Sequence, residues 1–298
     1  MSTARATRRL LRQPGLWFMV PAAVLLLAVY LGPMLYALKA STTFWVLTRP
    51  GSEADAAGLE NYADVLQSGE FWTTVRVTVL YAGASVCGGL VLGTGFALLL
   101  NLDFFWRSLF RSAMLIPMVI TPSVIGIFWK LLYEQDSGVF NQALRAVGLP
   151  GVPWLGLDMA LFSIVAMDVW QTTPFYTLVI LAGLHSIDGA LLDAARVDGT
   201  TRWQMFRFIL LPHLLPYMLI AAAFRGIAAM GDFDKIWLLT AGGPADRTTT
   251  MTIFTYKTGF ASFDIGRTAA IAWIFVAVVL VVSLPLLRHL FRTAQAER

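Results

Sequence analysis

Residues 184–216 read LHSIDGALLDAARVDGTTRWQMFRFILLPHLLP, a charged segment between two long hydrophobic stretches. Asp188 is suited to N-cap a short helix, and Gly199 can adopt the left-handed conformation that commonly ends one. Thr201 and Gln204 fit a capping box at the start of a second helix. The segment therefore predicts a helix–turn–helix elbow with about 10 residues, or about 15 Å, in each arm.

The composition of the chain is that of an integral membrane protein. Of its 298 residues, 57% are hydrophobic and 13% are charged, and the mean hydropathy is +0.68. A soluble domain contains about 25% charged residues. The single cysteine, Cys87, lies in an apolar run and excludes an intrachain disulfide, so we expect it to be a small packed residue.

Six apolar stretches are long enough to cross a bilayer as helices. Their predicted limits are Leu16–Leu38, Val75–Leu100, Phe110–Leu132, Met159–Leu184, Leu211–Leu239 and Ala269–Leu290. The apolar run of the first stretch is too long for a signal peptide, so we expect it to be retained. The sequence thus predicts an all-α membrane protein with an N-terminal segment (1–15), a six-span domain (16–290) and a C-terminal tail (291–298).

Charged residues in the connecting loops predict the orientation of these spans. Arginines concentrate on the side of the N-terminus, namely Arg5, Arg8, Arg9, Arg12, Arg107, Arg111, Arg196, Arg202, Arg207, Arg288, Arg292 and Arg298. Most acidic residues fall in the opposite loops. Because cytoplasmic loops carry the excess of Lys and Arg, we expect both termini and the elbow (185–211) in the cytoplasm. The net charge of +4 reflects this bias and indicates no nucleic-acid partner.

The elbow resembles the Glu-Ala-Ala loop of the membrane subunits of binding-protein-dependent ABC importers. That loop reads roughly Glu-Ala-Ala, three residues, Gly, then a hydrophobic run and Leu-Pro. Here it stands as Asp193-Ala194-Ala195, Gly199 and Leu211-Pro212. Asp193 replaces the usual Glu, which keeps the charge but shortens its reach by one methylene.

Further segments are similar to the sugar and glycerol-phosphate branch of that superfamily, which includes the maltose-type permeases. They are 138–141 (GVFN) through 154–155 (WL), 170–175 (WQTTPF), 233–237 (FDKIW) and 239–244 (LTAGGP). The resemblance runs from about Asn61 to the last span. It implies a type I ABC importer permease fold in the inner (plasma) membrane of a bacterium, and the import of a sugar, an oligosaccharide or a polyol.

The resemblance also implies partners. They are a second homologous permease, a dimer of cytoplasmic ATPase subunits that binds ATP and Mg²⁺, and an extracytoplasmic solute-binding protein. The implied ATPase-coupling residues are Asp188, Asp193, Ala194, Ala195, Arg196, Asp198, Gly199 and Trp203. An ordinary capped cytoplasmic loop is the alternative interpretation of this segment.

Two ionisable residues fall near the middle of predicted spans, Asp168 in the fourth and Arg225 in the fifth. A charge at the centre of a membrane helix costs about 2.5–3.5 kcal/mol on insertion scales, and such residues are usually paired or functional. Both lie deep inside their spans rather than at an end, so we predict an ion pair. The pair either locks two helices or lines the transport path. Asp232 and Asp234 lie nearer the outer surface, where we expect water to solvate them.

The residues beside Asp168 offer groups that suit a sugar. Sugars present hydroxyl edges and apolar C–H faces, which call for amide or carboxylate partners beside an aromatic ring. The predicted substrate path comprises Asp168, Trp170, Gln171, Thr172, Thr173 and Arg225. The alternative is an ordinary helix kinked at Pro174, whose hydroxyls bond the freed carbonyls. A GxxxG pattern at Gly89 and Gly93 predicts close packing of the second span.

Motifs that the sequence lacks exclude several classes of function. It contains no G-x-x-x-x-G-K-[ST] loop, no H-E-x-x-H and no Cys/His cluster, and its three histidines are scattered. We expect no catalytic residue, no metal site and no cofactor on this chain, so a partner must supply the energy. Arg225 is the only central arginine, which favours a neutral carbohydrate over a glycerol-phosphate-type substrate. A secondary transporter is the alternative from another class, although such carriers usually show internal repeats and need no capped elbow.

Overall fold

The structure is a computed structural model that describes residues 14–296, with side chains described for residues 18–284. The predicted N-terminal segment up to residue 13 and the end of the tail, with Arg298, lie outside the described residues. The described chain is mainly helical, and its only β pairing consists of two isolated bridges. Its α-helices are α1 Pro14–Ser41, α2 Glu60–Gln67, α3 Gly69–Leu100, α4 Arg107–Val119, α5 Pro122–Leu132, α6 Val139–Ala146, α7 Ala160–His185, α8 Gly189–Val197, α9 Arg202–Met205, α10 Leu211–Met230, α11 Asp234–Thr240, α12 Met251–Tyr256 and α13 Ile265–Ala296.

Five of the described helical runs are long and apolar enough to cross a membrane, and a bent pair makes a possible sixth. The five runs are Phe18–Ser41, α3, α7, Arg202–Met230 and Ile265–Leu284. The bent pair is α4 with α5, whose axes differ by 101°. The predicted third span, Phe110–Leu132, is therefore broken into two helices rather than one. Thr121 precedes Pro122, which disfavours helical backbone at Thr121, and both it and Ile120 are extended.

The fifth span also differs from its predicted limits. It ends at Met230 rather than Leu239, and α11 is a separate helix. At the other end, a π-helical turn at Phe206–Leu210 joins α9 to α10, so Arg202–Met230 is one run of 29 residues. Pro212 removes a backbone donor from the following turn, and the wider π turn keeps the chain helical there. The second arm of the elbow is thus continuous with a membrane helix.

The chain divides into two compact units. The first contains the described residues up to 67 together with 256–274. Within it, the Asn61 amide donates to the carbonyl oxygens of Ser41 and Thr43 at 2.9 and 2.8 Å. Gly266 lies so close to the Thr43 carbonyl that a Cβ would collide with it. These contacts tie the loop after α1 to the start of α13.

The second unit contains residues 68–255 and the described residues from 275 onward. Its central contact is between α3 and α7, where Gly89 and Gly93 face Tyr176. A Cβ at Gly93 would lie 3.1 Å from the backbone nitrogen of Thr177. The close packing predicted from the GxxxG pattern is therefore confirmed. This contact positions the polar face of α7, which carries Asp168.

Candidate functional site

Four ionisable side chains from separate elements meet inside the second unit. Asp168 lies on α7, Arg225 on α10, Asp232 in the bend after α10, and Lys235 in α11. Arg225 Nη2 donates to Asp168 Oδ1 at 3.1 Å, and Lys235 Nζ donates to the same oxygen. Lys235 Nζ also lies 2.8 Å from Asp232 Oδ2. The Asp168 and Lys235 side chains are only 1% and 3% exposed. We call these four residues the charge cluster.

The predicted pair of Asp168 and Arg225 is confirmed, but the expectation that water solvates Asp232 was wrong. Asp232 Oδ2 accepts a hydrogen bond from the Tyr81 hydroxyl at 2.8 Å and lies 3.7 Å from Arg225. The reason is the early end of the fifth span. Because the chain bends after Met230, it turns residues 232–235 toward α7. Asp234 is exposed, as expected.

The charge cluster contains two cations and two carboxylates, so its formal charges balance. A buried charge without a partner is costly, whereas paired and hydrogen-bonded charges are tolerated. Sequence reasoning missed Lys235, although it lies in the FDKIW segment three residues after Asp232. That spacing brings two side chains onto one face of a helix and was the available signal.

A polar cavity of about 200 Å³ adjoins the charge cluster. Its lining residues are Met118, Pro122, Gln171, Thr172, Phe175, Arg225, Asp232 and Lys235. Three residues of the predicted substrate path, Gln171, Thr172 and Arg225, therefore line one cavity. The Gln171 side-chain oxygen also lies 3.4 Å from Lys235 Nζ. The volume is below the range of about 300–1,000 Å³ that is usual for ligand pockets.

Trp170 and Thr173 line a different cavity. It is apolar, has a volume of about 460 Å³ and lies among α3, α4 and α7. Successive residues on a helix point about 100° apart, so Trp170 and Gln171 cannot face one ligand from one side. The Thr172 and Thr173 hydroxyls donate to the Asp168 and Val169 carbonyls at 2.8 and 2.6 Å. Both hydroxyls therefore bond back onto their own helix, although neither bonds the Trp170 carbonyl that Pro174 frees.

The elbow has the predicted caps. Asp188 Oδ1 accepts from the Ala190 backbone N–H at 2.9 Å at the start of α8. Gly199 has φ +72°, the left-handed conformation, just after the end of that helix. Thr201 and Gln204 form a reciprocal capping box, in which the Thr201 N–H donates to Gln204 Oε1 at 2.8 Å. Local side-chain to backbone bonds therefore fix the shape of the elbow.

The predicted coupling residues lie on the surface of this elbow, with one exception. Asp193 and Arg196 form an exposed ion pair at 2.8 Å, and Ala194 is exposed, whereas Ala195 is buried. Asp198 is exposed and closes α8 through its N–H, which donates to the Ala194 carbonyl. Trp203 is 64% exposed, and Val197, also on the elbow, is 88% exposed. The elbow thus offers apolar and charged side chains that the described chain leaves uncovered.

The charge cluster and the elbow share two helices. Asp168 lies on α7, about 25 Å along the helix from His185, where the elbow begins. Arg225 lies on the helical run that starts at Arg202 in the elbow. Both helices that leave the elbow therefore carry a member of the charge cluster. Among the described residues, no group of three or more His, Cys, Asp or Glu could hold a metal ion.

A family model described as "Binding-protein-dependent transport system inner membrane component" matches residues 89–294, more than half of the chain. The chain belongs to this family. It is 56% identical over 294 residues to a probable ABC transporter permease protein of Sinorhizobium fredii, covering 99% of this chain and 95% of the relative. It is 40% identical over 220 residues to the trehalose/maltose transport system permease protein of Thermococcus litoralis, covering 72% and 75%.

A solved structure shows the same fold. The crystal structure of a bacterial ABC transporter involved in the import of the acidic polysaccharide alginate contains a chain that matches with a TM-score of 0.81. The match covers 97% of this chain and 99% of that one, at 23% identity. The chain therefore has the type I ABC importer permease fold and is a multi-pass membrane subunit of a transport system.

Proposed function

We propose that this chain is one of two membrane subunits of an ATP-driven importer that carries a neutral carbohydrate across a bacterial inner membrane. An extracytoplasmic binding protein delivers the carbohydrate, and a second, homologous permease completes the path. A dimer of ATPase subunits binds ATP and Mg²⁺ and hydrolyses the ATP. The relative from Thermococcus litoralis, which is named for trehalose and maltose transport, supports a carbohydrate substrate.

The observation that carries this proposal is the mechanical link between the elbow and the charge cluster. The elbow lies between α7 and the run Arg202–Met230, and these helices hold Asp168 and Arg225. When the ATPase closes on the elbow, both helices move and the contacts between Asp168 and Arg225 must adjust. The exposed Val197 and Trp203 give the ATPase an apolar surface to bind.

The charge balance of the polar cavity supports a neutral substrate. Arg225 and Lys235 are matched by Asp168 and Asp232, so no unpaired cation is left for a phosphate or sulfonate. Gln171 adds an amide suited to sugar hydroxyls. A glycerol-phosphate-type substrate would need at least one further cation at this cavity.

The polar cavity must enlarge before it can hold a disaccharide. At about 200 Å³ it is too small for a disaccharide, so α7, α10 and α11 must separate to admit one. Separation breaks contacts of Asp168 with Arg225 and Lys235, and sugar hydroxyls and water take their place. Closure of the ATPase supplies the free energy for this step. This chain positions and releases the sugar and carries out no chemistry.

Co-purification from native membranes and sugar uptake together test the proposal. A C-terminally tagged chain should bring down a second permease and an ATPase subunit, and cells should take up at least one labelled neutral sugar. Asp193→Arg should reduce recovery of the ATPase subunit while the second permease stays bound. Asp158→Asn, an exposed change outside the elbow, is the matched control. Uptake that persists after deletion of the ATPase gene would identify a secondary transporter instead.

A further inference from the structure

A second polar cavity lies at the end of α7 opposite to the elbow. It has a volume of about 300 Å³ and is formed by the end of α5 and the loop that precedes α7. Its lining residues are Lys130, Tyr133, Glu134, Gln135, Pro153, Trp154, Leu155 and Gly156. Its volume lies at the lower end of the range that is usual for ligand pockets, about 300–1,000 Å³. We call it the outer cavity.

Asn141, which is fully buried, holds both walls of the outer cavity in place. Its side-chain nitrogen donates to the carbonyls of Gln135 and Val152, both at 3.0 Å. Its oxygen accepts from the Trp154 indole N–H at 3.0 Å. The Tyr133 hydroxyl donates to the Ser163 carbonyl at 3.1 Å. The outer cavity is therefore preformed, because the Trp154 N–H and the Tyr133 hydroxyl already make hydrogen bonds within its wall.

The remaining polar groups of the outer cavity have no such partners. Among the described residues, the side chains of Lys130, Glu134 and Gln135 make no hydrogen bond or ion pair, and all three are exposed. An ammonium, a carboxylate and an amide thus line the same cavity as the half-buried Trp154. This combination offers donors and acceptors for vicinal hydroxyls and an apolar face for C–H groups.

We propose that the outer cavity binds one sugar unit of the carbohydrate before it enters the polar cavity beside the charge cluster. The inference rests on the proposed function and on the proposed orientation, in which this end of α7 faces the side of delivery. Asp168 lies about 12 Å along α7 from its first residue, so the two cavities follow one another along the same helix. An aromatic belt at the membrane boundary would explain Trp154 but gives no role to Glu134.

Cysteine protection tests the outer cavity directly. The native cysteine is first removed by Cys87→Ala, and Gln135→Cys then reports on the cavity. Trehalose, maltose, lactose and glucose are each tested as protectants against an impermeant maleimide, in membranes that contain the whole transporter. At least one sugar should slow labelling at position 135. The same sugar should leave labelling of Asp158→Cys, exposed nearby but outside the cavity, unchanged.

A second substitution asks whether Glu134 itself binds the sugar. Adding Glu134→Gln to the Gln135→Cys reporter should raise the sugar concentration that gives half-protection by about tenfold, since hydrogen bonds to charged groups are among the stronger ones. Adding Asp158→Asn should leave that concentration unchanged. Equal protection at positions 135 and 158, or no effect of Glu134→Gln, would overturn the proposal.

Uptake of the same four sugars by cells separates this inference from the proposed function. If a sugar is taken up and none of the four protects position 135, the outer cavity is not a subsite and the importer assignment stands. If a sugar protects but none is taken up, the subsite stands and the transport assignment fails. If neither occurs, both fail together.

Discussion

Lys235 and Asp168 form a buried ion pair that joins α11 to α7, and Arg225 binds the same carboxylate from α10. One carboxylate thus holds three helices together. Lys235 and Arg225 also contact Asp232, at 2.8 and 3.7 Å, so each cation lies near both anions. Removal of any member leaves a net charge in a site whose side chains are at most 18% exposed. We therefore expect the cluster to respond as a unit.

Single and double substitutions measure this coupling. Arg225→Met and Asp168→Leu should each lower the free energy of unfolding by about 3–5 kcal/mol, because the partner charge stays buried and unmatched. The double variant should recover much of the loss, because Lys235 and Asp232 remain as a balanced pair. The thermal midpoint of the detergent-solubilised chain is the measurement.

The exposed pair of Asp103 and Arg107 is the matched control for that cycle. Its atoms are 3.0 Å apart but its side chains are 99% and 36% exposed, so Asp103→Asn should cost less than about 1 kcal/mol. Additive losses in the Arg225 and Asp168 double variant would contradict the coupling. A stable double variant that no longer transports would assign the pair to the pathway rather than to a structural lock.

The features predicted correctly from the sequence are those that depend on near neighbours or on depth. The caps at Asp188 and Thr201 use bonds within three residues, and the left-handed Gly199 follows from a local backbone preference. The pair of Asp168 and Arg225 followed from the position of two opposite charges near the middle of two predicted spans. In each case a single physical preference was strong enough to fix the structure without knowledge of how the helices pack.

The features that the sequence did not yield depend on the direction of the chain after a break. The hydropathy of a segment does not depend on whether it forms one straight helix or two helices bent by 101°. Hydropathy therefore could not predict the break near Thr121. Pro122 was the available signal. The end of the fifth span at Met230 likewise decides where Asp232 and Lys235 point, and only the packing against α7 reveals it.

Packing at Gly93 gives a second prediction. A Cβ there would meet Tyr176 and come within 3.1 Å of the Thr177 backbone nitrogen, and backbone cannot move aside cheaply. Gly93→Ala should therefore destabilise the chain by about 1–3 kcal/mol, the usual range for overpacking. Gly95→Ala is the control on the same helix, because open space surrounds that position. Equal thermal midpoints for the two variants would show that α3 and α7 do not pack this closely.

Orientation gives a third prediction, tested by cysteine labelling in a Cys87→Ala background. A cysteine at exposed Ser186 should react with an impermeant maleimide only from the cytoplasmic side, and one at Ser137 only from outside. Ser52 is a poor reporter because it is buried and its hydroxyl donates to the Arg49 carbonyl. Its exposed neighbour Glu53 is the better choice for the outside. The reverse pattern would place the elbow outside and exclude a cytoplasmic ATPase as its partner.

The turn of the elbow gives the last prediction. Gly199 has φ +72°, and no atom lies within 4 Å of where its Cβ would be. A side chain at this position would therefore strain the left-handed backbone without clashing with a neighbour. The strain costs about 1–2 kcal/mol for most residues and is smallest for Asn, which visits this conformation. Stimulation of ATPase activity by the sugar-loaded binding protein in proteoliposomes should therefore fall with Gly199→Val and be largely kept with Gly199→Asn.

Gly189→Ala is the control for this series, because Gly189 has an ordinary φ and open space at the start of the same arm. It should match the wild type in both membrane level and stimulation. All three variants should reach the membrane in equal amounts, since the strain is confined to an exposed turn and is small beside the stability of the spans. Wild-type stimulation in Gly199→Val would mean that the shape of this turn does not transmit force. Equal loss in Val and Asn variants would point to the glycine's lack of a side chain at the ATPase surface, rather than to its backbone conformation.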